Sequence, residues 1–260
     1  MERFYEGPES LFVRAYDAFY HDAPPPTVGD VAFYQQLAQQ TGGTVLELAC
    51  GSGRIALPLA ESGLDVTGVD VSAGMLAILQ RKAAAAQHLT TVLQDMSSLE
   101  LNKRFGCVIV AFRSFQHLLT VELQRQTLAA IGRHLLPGGR VALHLFDPRL
   151  DLLTDEAPSL ILRGTDPATG HAFTGELLGA RFDYVTQIRR DFWRYREFAP
   201  HGALLAEDAR EMALRWTYRW ELHHLLELCG FSVEAEYSDF HRSPPAYGKE
   251  LIVVARKSNG

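Results

Sequence analysis

The 260-residue chain has few cysteines, no long hydrophobic run and no excess of positive charge. Its three cysteines, Cys50, Cys107 and Cys229, are odd in number, far apart and in no CxxC. They predict a reduced, cytoplasmic protein rather than a disulfide scaffold. The longest unbroken apolar stretch is the six residues 107–112, far short of the roughly 20 that cross a bilayer. The first 20 residues carry Glu2, Glu6, Glu9 and Asp17 and no apolar core, so no secretory leader is expected. Lys and Arg total 25 against 31 Asp and Glu, a net charge of −6. Duplex nucleic acid needs a concentrated basic face, so neither it nor a membrane is an expected partner. The ten histidines form no HExxH and no paired ligand spacing. His223-His224 are expected at the surface, and no metal site is predicted. What remains is ordinary globular material, 47% hydrophobic and 22% charged, long enough to bury a core unaided. The length fits one large domain or one domain with an insertion.

Along the chain, Leu11, Phe12, Ala15, Tyr16 and Phe19 recur at helical spacing, and three prolines at 24–26 break the pattern. Asp30 is a plausible N-cap for a helix running to about Gln40. From 44 to 147 short apolar or β-branched runs alternate with helical stretches. Strands are predicted at 44–48, 65–70, 91–94, 106–112 and 139–146, and helices at 53–62, 72–87 and 121–135, with Ser72 and Thr120 as caps. This alternation implies βαβ crossovers and a mostly parallel sheet. Residues 148–217 break the rhythm with strand-like segments RFDYVTQ, RRDFWRYREF and AREMALRWTY around a loop, APHGALLAED. They read as a small inserted antiparallel sheet. A helix at 218–228 and strands at 231–237 and 250–256 follow. The 12-residue connection between those strands is too short for a helical crossover, so they should pair antiparallel.

The glycine-rich segment VLELACGSGR (45–54) follows a strand and opens a helix, where free amides and a close backbone approach favour a ligand. Asp70 ends the second strand, where an acid can accept both hydroxyls of a ribose. Asp95-Met96 ends the third, where an oxygen can accept from an exocyclic amine and an apolar neighbour can cover a purine. Three successive strand ends thus suit an adenosine bound across the switch point of an open α/β sheet.

With these residues, and with VTGVDVS, VLQDM, GCVIVAF followed by FQHL, LLPGGRVAL and the closing ELIVVAR, the sequence resembles the class I S-adenosylmethionine-dependent methyltransferases. It is similar to their small-molecule branch with an inserted antiparallel lid, over about residues 9–256. The resemblance implies a Rossmann-like, seven-stranded, mostly parallel sheet with an antiparallel C-terminal hairpin. It divides the chain into a helical cap (1–42), a cofactor-binding domain (43–147 and 218–260) and a lid (148–217). The implied activity is in-line methyl transfer from S-adenosylmethionine to an N, O or C atom of a small molecule. Glu47, Ala49, Cys50, Gly51 and Gly53 would hold the methionine part and Asp70 the ribose. Val71 and Met75 would lie against the adenine, Asp95 and Met96 at its edge, and Ala111 and Phe112 near the sulfonium. Tyr16 and His117 are the catalytic candidates, His117 either as a base or as a shaping residue; Tyr20, Phe115, Trp193 and Tyr195 are candidates for the substrate. Ala49 departs from the first glycine of the usual GxGxG. Ala111-Phe112-Arg113-Ser114 stands where base-directed enzymes carry Asn/Asp-Pro-Pro-Tyr.

Other readings compete. Residues 51–56 formally satisfy GxGxxG/A, so an NAD-dependent oxidoreductase is the rival enzyme, opposed by the antiparallel ending, by Asp95 and by the absence of a YxxxK pair. A non-catalytic S-adenosylmethionine-binding protein is the rival outside enzymes. RRDFWRYREF interleaves arginines and aromatics as single-strand binders do. Strand alternation puts Trp193 and Tyr195 on one face and Phe192, Arg194, Arg196 and Phe198 on the other, and cross-strand pairing of the arginines is the plainer account.

Overall fold

The computed structural model describes residues 10–20, 27–84, 86–149 and 160–258. The proline break at 24–26 and residues 150–159 of the predicted lid lie outside them. Two helices, α1 (Leu11–Tyr20) and α2 (Asp30–Gln40), lead into β1 (Thr44–Leu48), α3 (Ala56–Glu61), β2 (Asp65–Asp70), α4 (Ala73–Lys82), β3 (Leu89–Leu93), β4 (Phe105–Val110), α5 (Val121–His134) and β5 (Leu135–Phe146). After the four strands described below come α6 (Arg219–Leu228), β10 (Phe231–Tyr237) and β11 (Glu250–Lys257).

Seven strands form one sheet in the order β10-β11-β5-β4-β1-β2-β3. The strands β1 to β5 run parallel, whereas β11 pairs antiparallel with both β5 and β10. The central strands are covered on both faces, so β4 is buried along its whole length and reads as a continuous apolar run. One core lies under α5 and α6 and the other under α2, α3 and α4. Ser72 and Thr120 cap α4 and α5 by accepting the Met75 and Leu123 amides. The expected Asp30 cap does not form. Gly29 holds the cap position at a φ of 87°, and Asp30 is buried against Arg54 at 2.8 Å, because a buried guanidinium needs a carboxylate. Strand β5 begins at Leu135, ahead of the expected 139, because Leu135 pairs with Phe105 before a bulge restores register.

A second, antiparallel sheet holds β6 (Ile161–Thr165), β7 (Ala172–Asp183), β8 (Ile188–Phe198) and β9 (Leu204–Arg215) in that order. Two boundaries differ from expectation. Only the first three residues of RFDYVTQ are strand, and 184–187 is the β7–β8 turn, with Gln187 at a φ of 59°. The APHGALLAED loop is confined to 199–203, because Leu204 already pairs with Phe198. Along β8 the alternate residues Asp191, Trp193, Tyr195 and Glu197 are buried. That face packs on α1, where Phe12, Val13 and Ala15 meet Phe173, Leu177, Trp193 and Tyr195. Gly164 lets α1 sit directly on β6, since a Cβ there would lie 2.1 Å from the Ala18 carbonyl. Arg190, Arg194 and Arg196 on the other face pair with Glu211, Glu176 and Glu207.

Candidate active site

A cavity of about 630 Å³ opens at the C-terminal ends of β1, β2, β3 and β4, where an open α/β sheet places its ligands. Its floor is the β1–α3 loop. Ala49, Gly51 and Gly53 all take left-handed backbone, at φ 56°, 55° and 85°, so Ala49 keeps a glycine's conformation despite its methyl. Gly51 faces open space, whereas a Cβ on Gly53 would meet Leu79 at 2.1 Å. Gly53 shapes the loop but does not line the cavity. Cys50 is buried, and burial pushes its thiol up; its sulfur fills the space beside Gly68.

Asp70 crosses from β2 to this loop. Its carboxylate accepts the Gly51 amide at 2.7 Å and the Ser72 amide at 2.8 Å, and burial still raises its pKa. Asp95 accepts from the Ser97 amide at 2.8 Å and hydroxyl at 2.7 Å, which fixes the single turn Met96–Ser98. Val71, Met75, Gln94, Met96 and Ser97 complete that side. At the other end Glu47 is buried with its Oε2 unpartnered among the described residues. Burial lifts its pKa to about 8, with Arg54 opposing. Arg54 also stands 5.4 Å from the centre of the Phe112 ring. Asp17 on α1 ties the loop down, accepting the Ser52 hydroxyl at 2.5 Å and pairing with Lys82 at 2.9 Å.

The far wall is Tyr16, Ala111, Phe112, Ser114, His117 and the apolar Leu118, Leu119 and Leu123. Burial pushes the Tyr16 phenol far above its ordinary range and His117 down to about 4. His117 hydrogen-bonds the backbone of Ala213 on β9. Tyr20 supports the wall from behind, its ring 4.8 Å from Tyr16 and 5.2 Å from Phe112.

The structure therefore brings Glu47, Ala49, Cys50, Gly51, Asp70, Val71, Met75, Asp95, Met96, Ala111, Phe112, Tyr16 and His117 to one cavity. None of the four substrate candidates lines it: Tyr20 stands behind Tyr16 and Phe112, and the other three lie farther off. Phe115 is fully buried beneath the sheet, because the turn Ser114–His117 points it into the core. Trp193 and Tyr195 stack 5.9 Å apart against α1, which stands between them and the ligand space. The second sheet reaches the cavity through β9, by Ala209, Arg210, Glu211 and Ala213. Sequence reasoning passed over these and Arg54. An arginine directly after the last loop glycine was a signal for Arg54; nothing local marked β9.

Glu47 offers a buried orphaned acceptor, which suits a cation, and Asp70 a carboxylate fixed at a strand end, which suits hydroxyls, so the residues present fit S-adenosylmethionine. The sheet order, with its antiparallel ending and three strand-end groups, defines a class I S-adenosylmethionine-dependent methyltransferase and overturns the NAD reading. The methyltransferase-domain family model matches residues 45–139. YqeM of Bacillus subtilis (strain 168), named for the methyltransferase family without a stated acceptor, is 36% identical over 225 residues, covering 83% of this chain and 85% of that protein. Among solved structures, the CcbJ methyltransferase from Streptomyces caelestis superimposes with a TM-score of 0.78 at 25% identity, covering 100% of both chains. The glycopeptide N-methyltransferase MtfA, complexed with S-adenosyl-L-methionine, gives a TM-score of 0.54 at 25% identity, covering 87% of this chain and 93% of that one. The chain belongs to the methyltransferase family and is an enzyme that uses S-adenosylmethionine.

Proposed function

We propose that the chain methylates an amine nitrogen of a small molecule by in-line displacement, with 1–42 as cap and 148–217 as lid over the cofactor-binding remainder. The observation that carries this reading is one cavity that joins groups suited to the cofactor to a wall, Tyr16 and His117, whose titratable side chains burial moves away from neutrality. Bound S-adenosylmethionine supplies a methyl already activated by its sulfonium, so the chain's work is positioning and desolvation. Asp70 receives the ribose hydroxyls. Asp95 takes the adenine amine, with Val71, Met75 and Met96 against the ring. Glu47 Oε2 accepts from the α-ammonium and Arg54 faces the carboxylate. Ala111 and Phe112 border the sulfonium, and Tyr16 presents an aromatic face to that cation.

The acceptor class follows from proton bookkeeping. A hydroxyl or carbon acid needs a base poised near neutrality; burial takes His117 and Tyr16 out of that range, and Glu47, raised to about 8, is in this reading engaged by the cofactor's ammonium. A neutral amine attacks the methyl carbon through its lone pair as the carbon–sulfur bond breaks to leave the neutral thioether, and the methylated ammonium then gives its proton to solvent water. His117 then shapes the pocket through Ala213, Tyr20 backs the wall, and Phe115, Trp193 and Tyr195 stay out of contact with the acceptor. MtfA, an N-methyltransferase by name, fits this reading, and the net charge of −6 speaks against nucleic acid as the substrate. The test is a thermal-shift comparison of S-adenosylhomocysteine with NAD, followed by mass spectrometry of small amines, phenols and alcohols incubated with cofactor. Ligand at about 100 times its Kd should add about 2.7 kcal/mol, and methylation should fall on amines. Methylated phenols or alcohols with untouched amines would overturn the acceptor class.

A further inference from the structure

The cavity wall at the end of β4 is held in an unusual backbone. Phe112 and Arg113 are consecutive non-glycine residues in left-handed conformation, at φ 48° and 66°, a state that side chains seldom adopt and that persists only when its surroundings enforce it. Hydrogen bonds to residues of two distant strands, β5 and β11, hold the wall there. The His144 carbonyl on β5 accepts the Arg113 amide at 2.9 Å. The ring of the same histidine accepts the Phe112 amide through Nδ1 at 3.2 Å, which leaves the proton on Nε2 to be donated to Glu250 of β11 at 2.8 Å. The second Glu250 oxygen accepts from Arg113 Nη2 at 2.8 Å. The circuit thus returns to the turn it began from. His144 is fully buried, its other neighbours being the Phe240 ring at 4.9 Å and the Asp30 carboxylate of α2.

We infer that His144, Glu250 and Arg113 form a positioning latch that sets Phe112, and with it the reactive wall of the cavity, in a conformation the local sequence would not choose. The inference rests on that cavity being the cofactor site. The latch requires neutral His144, because an imidazolium would aim a second N–H at the Phe112 amide. Burial lowers the His144 pKa and Glu250 opposes the shift, so the latch should open on the acid side of the ordinary histidine range.

Two readouts test it, amide exchange by NMR on the free protein and calorimetric S-adenosylhomocysteine binding. His144→Leu should speed exchange of the Phe112 amide by about a hundredfold and weaken binding about tenfold. His144→Asn, whose amide oxygen can stand where Nδ1 does, should restore binding to within about threefold of wild type. Equal binding by wild type and His144→Leu, or an asparagine no better than leucine, would overturn the latch. Should His144→Leu fail to fold, Glu250→Gln decides. A neutral amide no longer favours the imidazolium, so the acid loss of S-adenosylhomocysteine affinity should move to lower pH; an unmoved profile would overturn the latch. A wild-type protein that binds no S-adenosylhomocysteine removes the site reading and the binding half of the inference with it. The exchange half then still stands or falls on the Phe112 amide.

Discussion

In the seven-stranded sheet Asp70 and Asp95 sit at strand ends and are held by backbone amides. In the four-stranded sheet the charges lie along the strands and pair with one another. Asp70 is bound by the Gly51 and Ser72 amides, whereas Arg194 and Arg196 reach across to Glu176 and Glu207 with their side chains about a third or more exposed. Amides held in the β1–α3 loop and at the N-terminus of α4 fix the acid in one orientation, the pre-organisation that the proposed ribose contact needs. Exposed ion pairs are screened and add little. The inserted sheet must therefore draw its stability from its other face, where Trp193 and Tyr195 pack on α1.

The largest effect should come from breaking that aromatic face. Trp193 is 6% exposed, and Trp193→Ala should cost about 3–5 kcal/mol of unfolding free energy in denaturant titration. S-Adenosylhomocysteine affinity should stay near wild type wherever the variant is folded. Lost affinity with intact stability would reverse the roles of the two sheets.

Asp70→Ala should act the other way. Leaving the ribose hydroxyls and two amides unpaired costs about 1–3 kcal/mol, read as weaker calorimetric binding of S-adenosylhomocysteine. Unchanged affinity would remove Asp70 from the site.

A proton sharpens the comparison further. Burial raises Glu47 in the folded protein to about 8 from an ordinary 4.5, so its contribution to stability is fully present below about 4.5 and is lost as pH rises through about 8. A bound ammonium favours the carboxylate, so binding at pH 7 should release a proton, measurable as a dependence of binding enthalpy on buffer ionisation. Glu47→Gln should abolish that dependence. Its persistence would assign the proton elsewhere.

The smallest effect belongs to the loop. Ala49 bears a left-handed φ of 56°, and Ala49→Gly should relieve about 0.5–1 kcal/mol in thermal unfolding. A destabilised glycine variant would mean that the methyl packs usefully enough to offset its strain.

Much of this molecule was legible in the chain. The bounds of β1 and β2, the caps at Ser72 and Thr120, the antiparallel pairing of β10 with β11 and the face shared by Trp193 and Tyr195 all follow from alternation and from hydrogen bonds spanning a few residues. The strand-end groups Asp70 and Asp95 were legible too, because strand ends recur at readable spacing and an open parallel sheet gathers them on one edge. Tertiary structure alone decided what α1 would cover. The aromatic face of β8 could have roofed the cavity, but α1 occupies that place and leaves β9 to line it. It also decided that Arg54 would meet Asp30, and that Glu250 would reach His144 across 106 positions of sequence. Such pairings carry no local signal, because a buried charge or ring nitrogen is satisfied by whichever partner the packing of distant elements brings within reach.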